Sequence, residues 1–284
     1  MITKQSKIAI VGLGVLGGSY VQALHAAGYE SLLGIDIDPE AIAWAKEQGW
    51  IQEGSTDPAA VKDCELVISC LYPGVFVEWV RANRKYFQKG TLLSDVTGVK
   101  RAVIDRINEL LDDDVEFLAC HPMAGRESKG IHYADARRFQ NANFIVVPTE
   151  QNSEEAIQTM EMLARDMGFQ RISRLSASEH DRMISFLSQL THVIAVSLMN
   201  ANDNTHLAKF TGDSFRDLTR IARINEDMWP ELFILNKDYL IQDIDDFTAE
   251  LQEFRRLIQD EDTEGMRRKM IQSTERRAHF DREE

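Results

Sequence analysis

Paired cysteines are the first thing this sequence lacks. Its three cysteines, Cys64, Cys70 and Cys120, show no CxxC spacing. Neither a disulfide framework nor a zinc site is expected, and no other metal is. Positive charge is also scarce, with 46 acidic residues against 32 basic ones and a formal net charge of -14. Such a surface repels phosphate backbones and anionic lipid, which argues against nucleic-acid and membrane partners. A small anionic substrate would need its own local Arg or Lys. Long apolar runs are missing too: stretches such as LVISCLY (66–72) are strand-sized and far below a membrane span. The opening MITKQSKIAIVGLG runs straight into a strand, without the layout of a signal peptide. The expectation is a cytoplasmic protein.

What is present is a composition that can fold. At 284 residues with 44% hydrophobic content, the chain can build one large domain or two. Up to about residue 173, strand-like runs at 7–13, 31–37, 65–71, 91–96, 115–120, 143–149 and 169–175 alternate with helical patterns such as 39–49 and 99–113. That alternation predicts a parallel, doubly wound α/β sheet covered on both faces. After Ser176 the strand signals stop and long helical periodicities take over. Two domains are therefore expected, residues 1–174 α/β and 175–284 all-helical, packed directly with a cleft between them. The apolar content of the helical half suits a shared homodimer core. Ser178 followed by Asp181 reads as a capping box opening the first of these helices.

Within IAIVGLGVLGGS (8–19), Gly12, Gly14 and Gly17 form GxGxxG directly after a strand and at the start of a helix. Gly12 permits the tight turn, Gly14 admits a pyrophosphate close to the backbone, and Gly17 allows close helix–strand packing. Asp36 follows Gly17 by 19 residues, at the end of the next strand, where a carboxylate accepts hydrogen bonds from a ribose diol. The helix N-terminus offers amides to the phosphates. These features make the first domain a Rossmann-type dinucleotide-binding unit. The stretch DIDPE provides no Arg or Lys for a 2'-phosphate, so NAD is favoured over NADP.

CHPMAGRESKG (120–130) places His121 at the carboxyl end of a strand, where open α/β sheets bind ligands. Taken alone, a satisfied loop histidine is the simpler account. Cys120 points to the opposite face of the strand and reads as core.

Several stretches resemble the prephenate/arogenate dehydrogenases of tyrosine biosynthesis. They are DVTGVK (95–100), HPMAGRES (121–128), EHDRMISFLSQLTH (179–192), FRDLTRIA (215–222) and MW (228–229), in that order after the glycine loop. The resemblance implies a nicotinamide domain joined to a helical dimerisation domain, with the active site between them. It implies loss of hydride from the ring carbinol carbon of prephenate as the ring carboxylate leaves as carbon dioxide. His121 then accepts the hydroxyl proton, a task suited to neutral imidazole. Arg220 aligns with the arginine that holds the side-chain carboxylate, a match for planar guanidinium. Asp217, three residues earlier, is placed to pair with it on a helix. Glu127 aligns with an acidic residue at the pocket, Trp229 with an aromatic near it, and His192 with a family histidine. Ser185, Gln189 and His192 share one helical face, expected to look into the cleft. The pair His180-Asp181 matches as well but reads first as helix-start structure.

Two positions depart from the family pattern. Gly98 stands where many members have a serine that bonds the histidine and substrate, with Thr97 beside it as a substitute hydroxyl; Gln189 stands where many have histidine. After its last charged helix the sequence is expected to carry no amino-acid-sensing domain. Beside a prephenate dehydrogenase, two readings stay open: an arogenate dehydrogenase, and a non-catalytic NAD(H)-binding sensor that kept the fold.

Overall fold

The computed structural model describes residues 2–125 and 128–281. Its centre is an eight-stranded sheet ordered β3-β2-β1-β4-β5-β6-β7-β8. The strands are β1 Ile8–Val11, β2 Leu32–Ile35, β3 Glu53–Ser55, β4 Leu66–Ser69, β5 Leu92–Asp95, β6 Glu116–Pro122, β7 Asn143–Val147 and β8 Arg171–Arg174. All seven expected strands form. The extra one, β3, has the sequence EGS, whose weak strand propensity hid it; it is held at the edge by pairing with β2. β3 through β6 run parallel. β7 is antiparallel to β6, and β8 follows β7, so the expected all-parallel sheet reverses at its far edge.

Every residue of β1, β2, β4 and β5 is buried, as near-continuous apolar runs require when both faces are covered. On one face Ile8, Ile10 and Ile68 pack with Tyr20 and Leu24 of α1 (Val15–Ala26) and Met160 and Leu163 of the later helix Glu154–Asp166; α2 (Pro39–Glu47) joins them. On the other, Ala9, Val67 and Leu93 pack with Phe76 and Val80 of α3 (Pro73–Asn83) and Val103 and Ile107 of α4 (Arg101–Asn108). The helix Glu154–Asp166 is α5.

The sheet gives way to helices α6 (Ala177–Ile184), α7 (Thr191–Asn200), α8 (Asp213–Thr219) and α9 (Trp229–Leu235). α6 and α7 are joined by a π-helical segment, Ser185–Leu190. The capping box at α6 is Ser176 with Glu179, not Ser178 with Asp181: the helix starts two residues earlier, which releases Asp181 for another duty. The segment Ala177–Asn200 is apolar and long enough to cross a membrane by length and composition, a property hidden by its interspersed polar residues. Those at Ser185 and Gln189 are buried.

Contacts group the chain up to Asn236 in one compact unit and residues from Lys237 in another. Strands end and helices begin near residue 175, but α6 and α9 are tied to the sheet by two borrowed caps. α3 and α4 have no side-chain cap of their own. Glu231 of α9 accepts the Gly74 N–H at 2.6 Å, and Asp181 of α6 accepts the Lys100 and Arg101 N–H groups at 2.8 and 2.9 Å. Each carboxylate meets orphan amides at the positive end of a helix. The second unit is a hairpin of α10 (Lys237–Gln259) and α11 (Thr263–Ala278). Asp262 caps α11 through the Gly265 N–H at 2.8 Å, and Lys269 pairs with Glu250 at 2.7 Å.

Candidate active site

The glycine turn has the geometry its spacing predicts. Gly12 has φ +90°, in the region that favours glycine. A Cβ on Gly17 would sit 1.8 Å from the Gly12 carbonyl oxygen, whereas a Cβ on Gly14 would meet nothing within 4 Å. Gly17 is thus fixed by packing, and Gly14 leaves open space above the backbone. α1 begins at Gly14 with no side-chain cap and no acid in its first turn, so its amides and dipole remain for an anion. Asp36 accepts the Leu13 N–H at 2.6 Å on one oxygen and the Asp38 N–H at 2.9 Å on the other. Each oxygen keeps acceptor capacity, and the half-exposed carboxylate suits a diol. A dinucleotide fits these residues.

Along the carboxyl ends of β5 and β6 lies a second group. His121 is partly exposed on β6, while Cys120 beside it is fully buried. Burial pushes the Cys120 thiol up to about 12, so it stays protonated. His121 Nδ1 lies 2.8 Å from His180 Nε2, and His180 Nδ1 lies 2.8 Å from Asp181 Oδ1. His180 and Asp181 are both 0% exposed. Below them Lys100 Nζ donates to Asp95 Oδ1 at 2.9 Å and Oδ2 at 2.7 Å, both side chains fully buried. Asp95 also accepts the Cys120 N–H at 3.2 Å, tying β5 to β6.

These neighbours set the charge of His121. Burial, the adjacent His180 and the Lys100 ammonium all disfavour its imidazolium, holding it well below the usual histidine range. His180 is lowered as well, by burial first, with Lys100 adding to it against the Asp181 carboxylate. Burial alone would raise Asp181, but bonds from His180 and from the Arg101 and Lys100 amides together hold it below its ordinary value. The group is a neutral imidazole pair over an ionised carboxylate.

The structure corrects two expectations here. Thr97 is 4% exposed, and its hydroxyl is engaged with Asp95 and with the Val99 carbonyl at 3.0 Å. It braces the Lys100–Asp95 pair and presents no hydroxyl to a substrate. Gln189 is 1% exposed; its amide donates to the Leu232 carbonyl at 3.0 Å and accepts from Asn236 Nδ2 at 2.9 Å. The polar face is therefore satisfied inside the fold: Asn236, itself fully buried, also donates to the Asp181 carbonyl at 2.8 Å. Gly98 lies over α9, and a Cβ there would be 3.7 Å from Leu232, ordinary contact distance, so the glycine is not forced by space.

His192 turns to another neighbour, with its ring centroid 3.8 Å from that of Trp229 and Nδ1 2.8 Å from the Ser188 carbonyl. Arg220 opens the turn Arg220–Ala222 after α8, which packs against α7. Arg220 and Asp217 are both exposed, on a segment that also exposes Phe210, Phe215 and Leu218. Glu127 lies outside the described residues. Lys129 pairs with Asp227, two residues before Trp229, at 3.1 Å. A separate surface cleft of about 700 Å³ opens at the far end of α1 from the glycine turn, lined by Gln22, Asp135, Arg137 and Asp166.

The residues that sequence reasoning undervalued are His180, Asp181, Lys100 and Asp95. Their signal was present in DVTGVK and in the adjacent His-Asp, but a buried Lys–Asp pair is recognised only once both are known to be inside.

A glycine turn after the first strand of a largely parallel sheet, with a neutral imidazole at the strand ends and the helices α6 to α9 following it, defines a dinucleotide-dependent dehydrogenase. The chain belongs to the prephenate dehydrogenase family: the family model for the prephenate dehydrogenase nucleotide-binding domain matches residues 21–172, and that for its dimerization domain matches residues 176–272. Among relatives, the prephenate dehydrogenase of Bacillus subtilis is 27% identical over 269 residues, covering 91% of this chain and 72% of that protein. The cyclohexadienyl dehydrogenase of Zymomonas mobilis is 27% identical over 263 residues, covering 90% and 89%. The crystal structure of prephenate dehydrogenase from A. aeolicus in complex with hydroxyphenyl propionate and NAD+ superposes with a TM-score of 0.90 at 26% identity, covering 99% of this chain and 100% of that one.

Proposed function

We propose that this protein catalyses the NAD-dependent oxidative decarboxylation of prephenate to 4-hydroxyphenylpyruvate. The observation that carries the reading is His121: a neutral imidazole at the end of β6, held from behind by His180. Gly12, Gly14, Gly17 and Asp36 hold the dinucleotide, and bound NAD supplies the acceptor for the hydride. His121 takes the proton from the ring hydroxyl as carbonyl character develops at that carbon. A general base in this position contributes about 10²–10⁴-fold. Arg220 receives a substrate carboxylate, with Asp217 orienting the guanidinium, and His192 and Glu127 complete the substrate pocket. The absence of basic residues in DIDPE supports NAD over NADP.

The match of the helical half to a dimerization domain and its exposed apolar side chains support a homodimer. Free, largely buried thiols support a cytoplasmic location. Arogenate is the second substrate to weigh, favoured by the likeness to a cyclohexadienyl dehydrogenase.

The test is absorbance of NADH after NAD is mixed with prephenate or arogenate. Turnover of prephenate is expected; silence with both acids overturns the reading. His121→Asn should lower kcat by about 100-fold or more while NAD binding by calorimetry is retained. Near-normal turnover would remove His121 from the mechanism.

A further inference from the structure

The contacts behind His121 determine more than its position. Two imidazole nitrogens 2.8 Å apart need one N–H and one lone pair, and the geometry alone leaves the direction open. Asp181 closes it. Its carboxylate is buried and accepts from the Lys100 N–H at 2.8 Å, the Arg101 N–H at 2.9 Å, the Arg101 Nε at 3.4 Å and the His180 ring at 2.8 Å. An ionised carboxylate only accepts, so His180 must carry its proton on Nδ1. A neutral His180 then has a lone pair on Nε2, and His121 must donate its Nδ1–H to it. The remaining nitrogen of His121, Nε2, is left as the lone-pair atom.

We propose that His180 and Asp181 are positioning residues that fix the tautomer of His121, placing its proton on Nδ1 and its basic lone pair on Nε2. The proposal rests on the reading of His121 as proton acceptor. In the reaction the substrate hydroxyl proton binds Nε2, the O–H electron pair becomes the carbonyl bond as the carbinol C–H pair leaves as hydride to the dinucleotide, and His121 turns cationic. Loss of the ring carboxylate as carbon dioxide then returns its bond pair to the ring, and the resulting phenolate oxygen takes the proton back. The Nδ1–H of His121 stays on Nδ1, donated to His180, and no proton travels further. The Asp181 charge, transmitted through the His180 dipole, favours that cation, while Lys100, although paired with Asp95, opposes it. Arg101 faces Asp181 on its other oxygen. Asp181 is also the cap of α4, so the carboxylate that sets the tautomer is held by the helix packed under the sheet. A wrong tautomer in a histidine base costs orders of magnitude in kcat even when geometry is kept.

The experiment is nitrogen-15 NMR of the His121 ring in the NAD-bound protein, beside steady-state kinetics. In the wild type, His121 is expected as the Nδ1–H tautomer. His180→Leu should lose that preference and lower kcat by about 100-fold, with KM changed far less. His180→Gln keeps the polarity, its amide N–H donating to Asp181 and its carbonyl accepting from His121, so the Nδ1–H signal should return and most of the lost kcat with it. An Nε2–H tautomer in the wild type overturns the proposal, and so does an unchanged spectrum in His180→Leu. Should His180→Leu not fold, the wild-type spectrum decides. If neither prephenate nor arogenate is turned over, the spectra still report on the tautomer, which separates the failure of this inference from failure of the proposed activity.

Discussion

At the scale of single residues, the surroundings of His121 keep its imidazole in the neutral form that a base requires. The sign follows from its neighbours: burial, then His180, then Lys100 disfavour the imidazolium, so the neutral form persists at pH values where an ordinary histidine, near 6.5, is half charged. The acid limb of kcat/KM is expected to have its midpoint below about 6.5. Removing the Lys100 charge together with its partner, as Lys100→Met with Asp95→Asn, should move that midpoint upward. Changing Lys100 alone would strand a buried carboxylate at a cost of about 3–5 kcal/mol and confound the measurement. A midpoint above 6.5 in the wild type, or one that the double variant leaves in place, would refute the electrostatic account.

At the scale of elements, glycine spacing and borrowed caps do separable work. Gly14 and Gly17 belong to one motif but differ in what surrounds them. Gly17→Ala forces a Cβ into the Gly12 carbonyl and should cost about 1–3 kcal/mol of stability, read as a fall in the chemical-denaturation midpoint. Gly14→Ala meets open space, so it should leave that midpoint nearly unchanged while weakening NAD binding by calorimetry. Equal stability loss in both would contradict the assigned roles. Glu231 caps α3 from α9 through the Gly74 amide. Its replacement by Ala should cost about 0.5–2 kcal/mol, although the two residues are 157 positions apart in sequence. An unchanged denaturation midpoint would show that the borrowed cap contributes nothing.

At the scale of the whole molecule, an exposed apolar segment needs a cover. Phe210 is 75% and Leu218 62% exposed, and between and beside them stand Asp217 and Arg220. Large exposed apolar side chains clustered with polar ones mark an association surface. Light scattering on the purified protein should give the mass of a dimer, and Phe210→Asp with Leu218→Asp should give monomers. Because Arg220 rides on the same segment, the monomeric variant should also show a raised KM for prephenate with NAD affinity retained. A wild-type monomer would remove the dimer from this picture.

Local chemistry determined much of this in advance. Apolar runs of strand length, glycines at GxGxxG spacing and the acid at residue 36 announced the nucleotide half, because each acts within a few residues of itself. The histidine at a strand's end and the loss of strand signals near residue 175 were equally plain. Only tertiary structure decided the rest. It sent Gln189 and Thr97 inward, where their polar atoms meet partners from distant segments. It released Asp181 from its own helix to cap another, and buried Lys100 against Asp95. It also reversed β7 against β6. The physical reason is common to these cases: a buried polar group is defined by the partner that satisfies it, and that partner is brought near by folding, not by sequence.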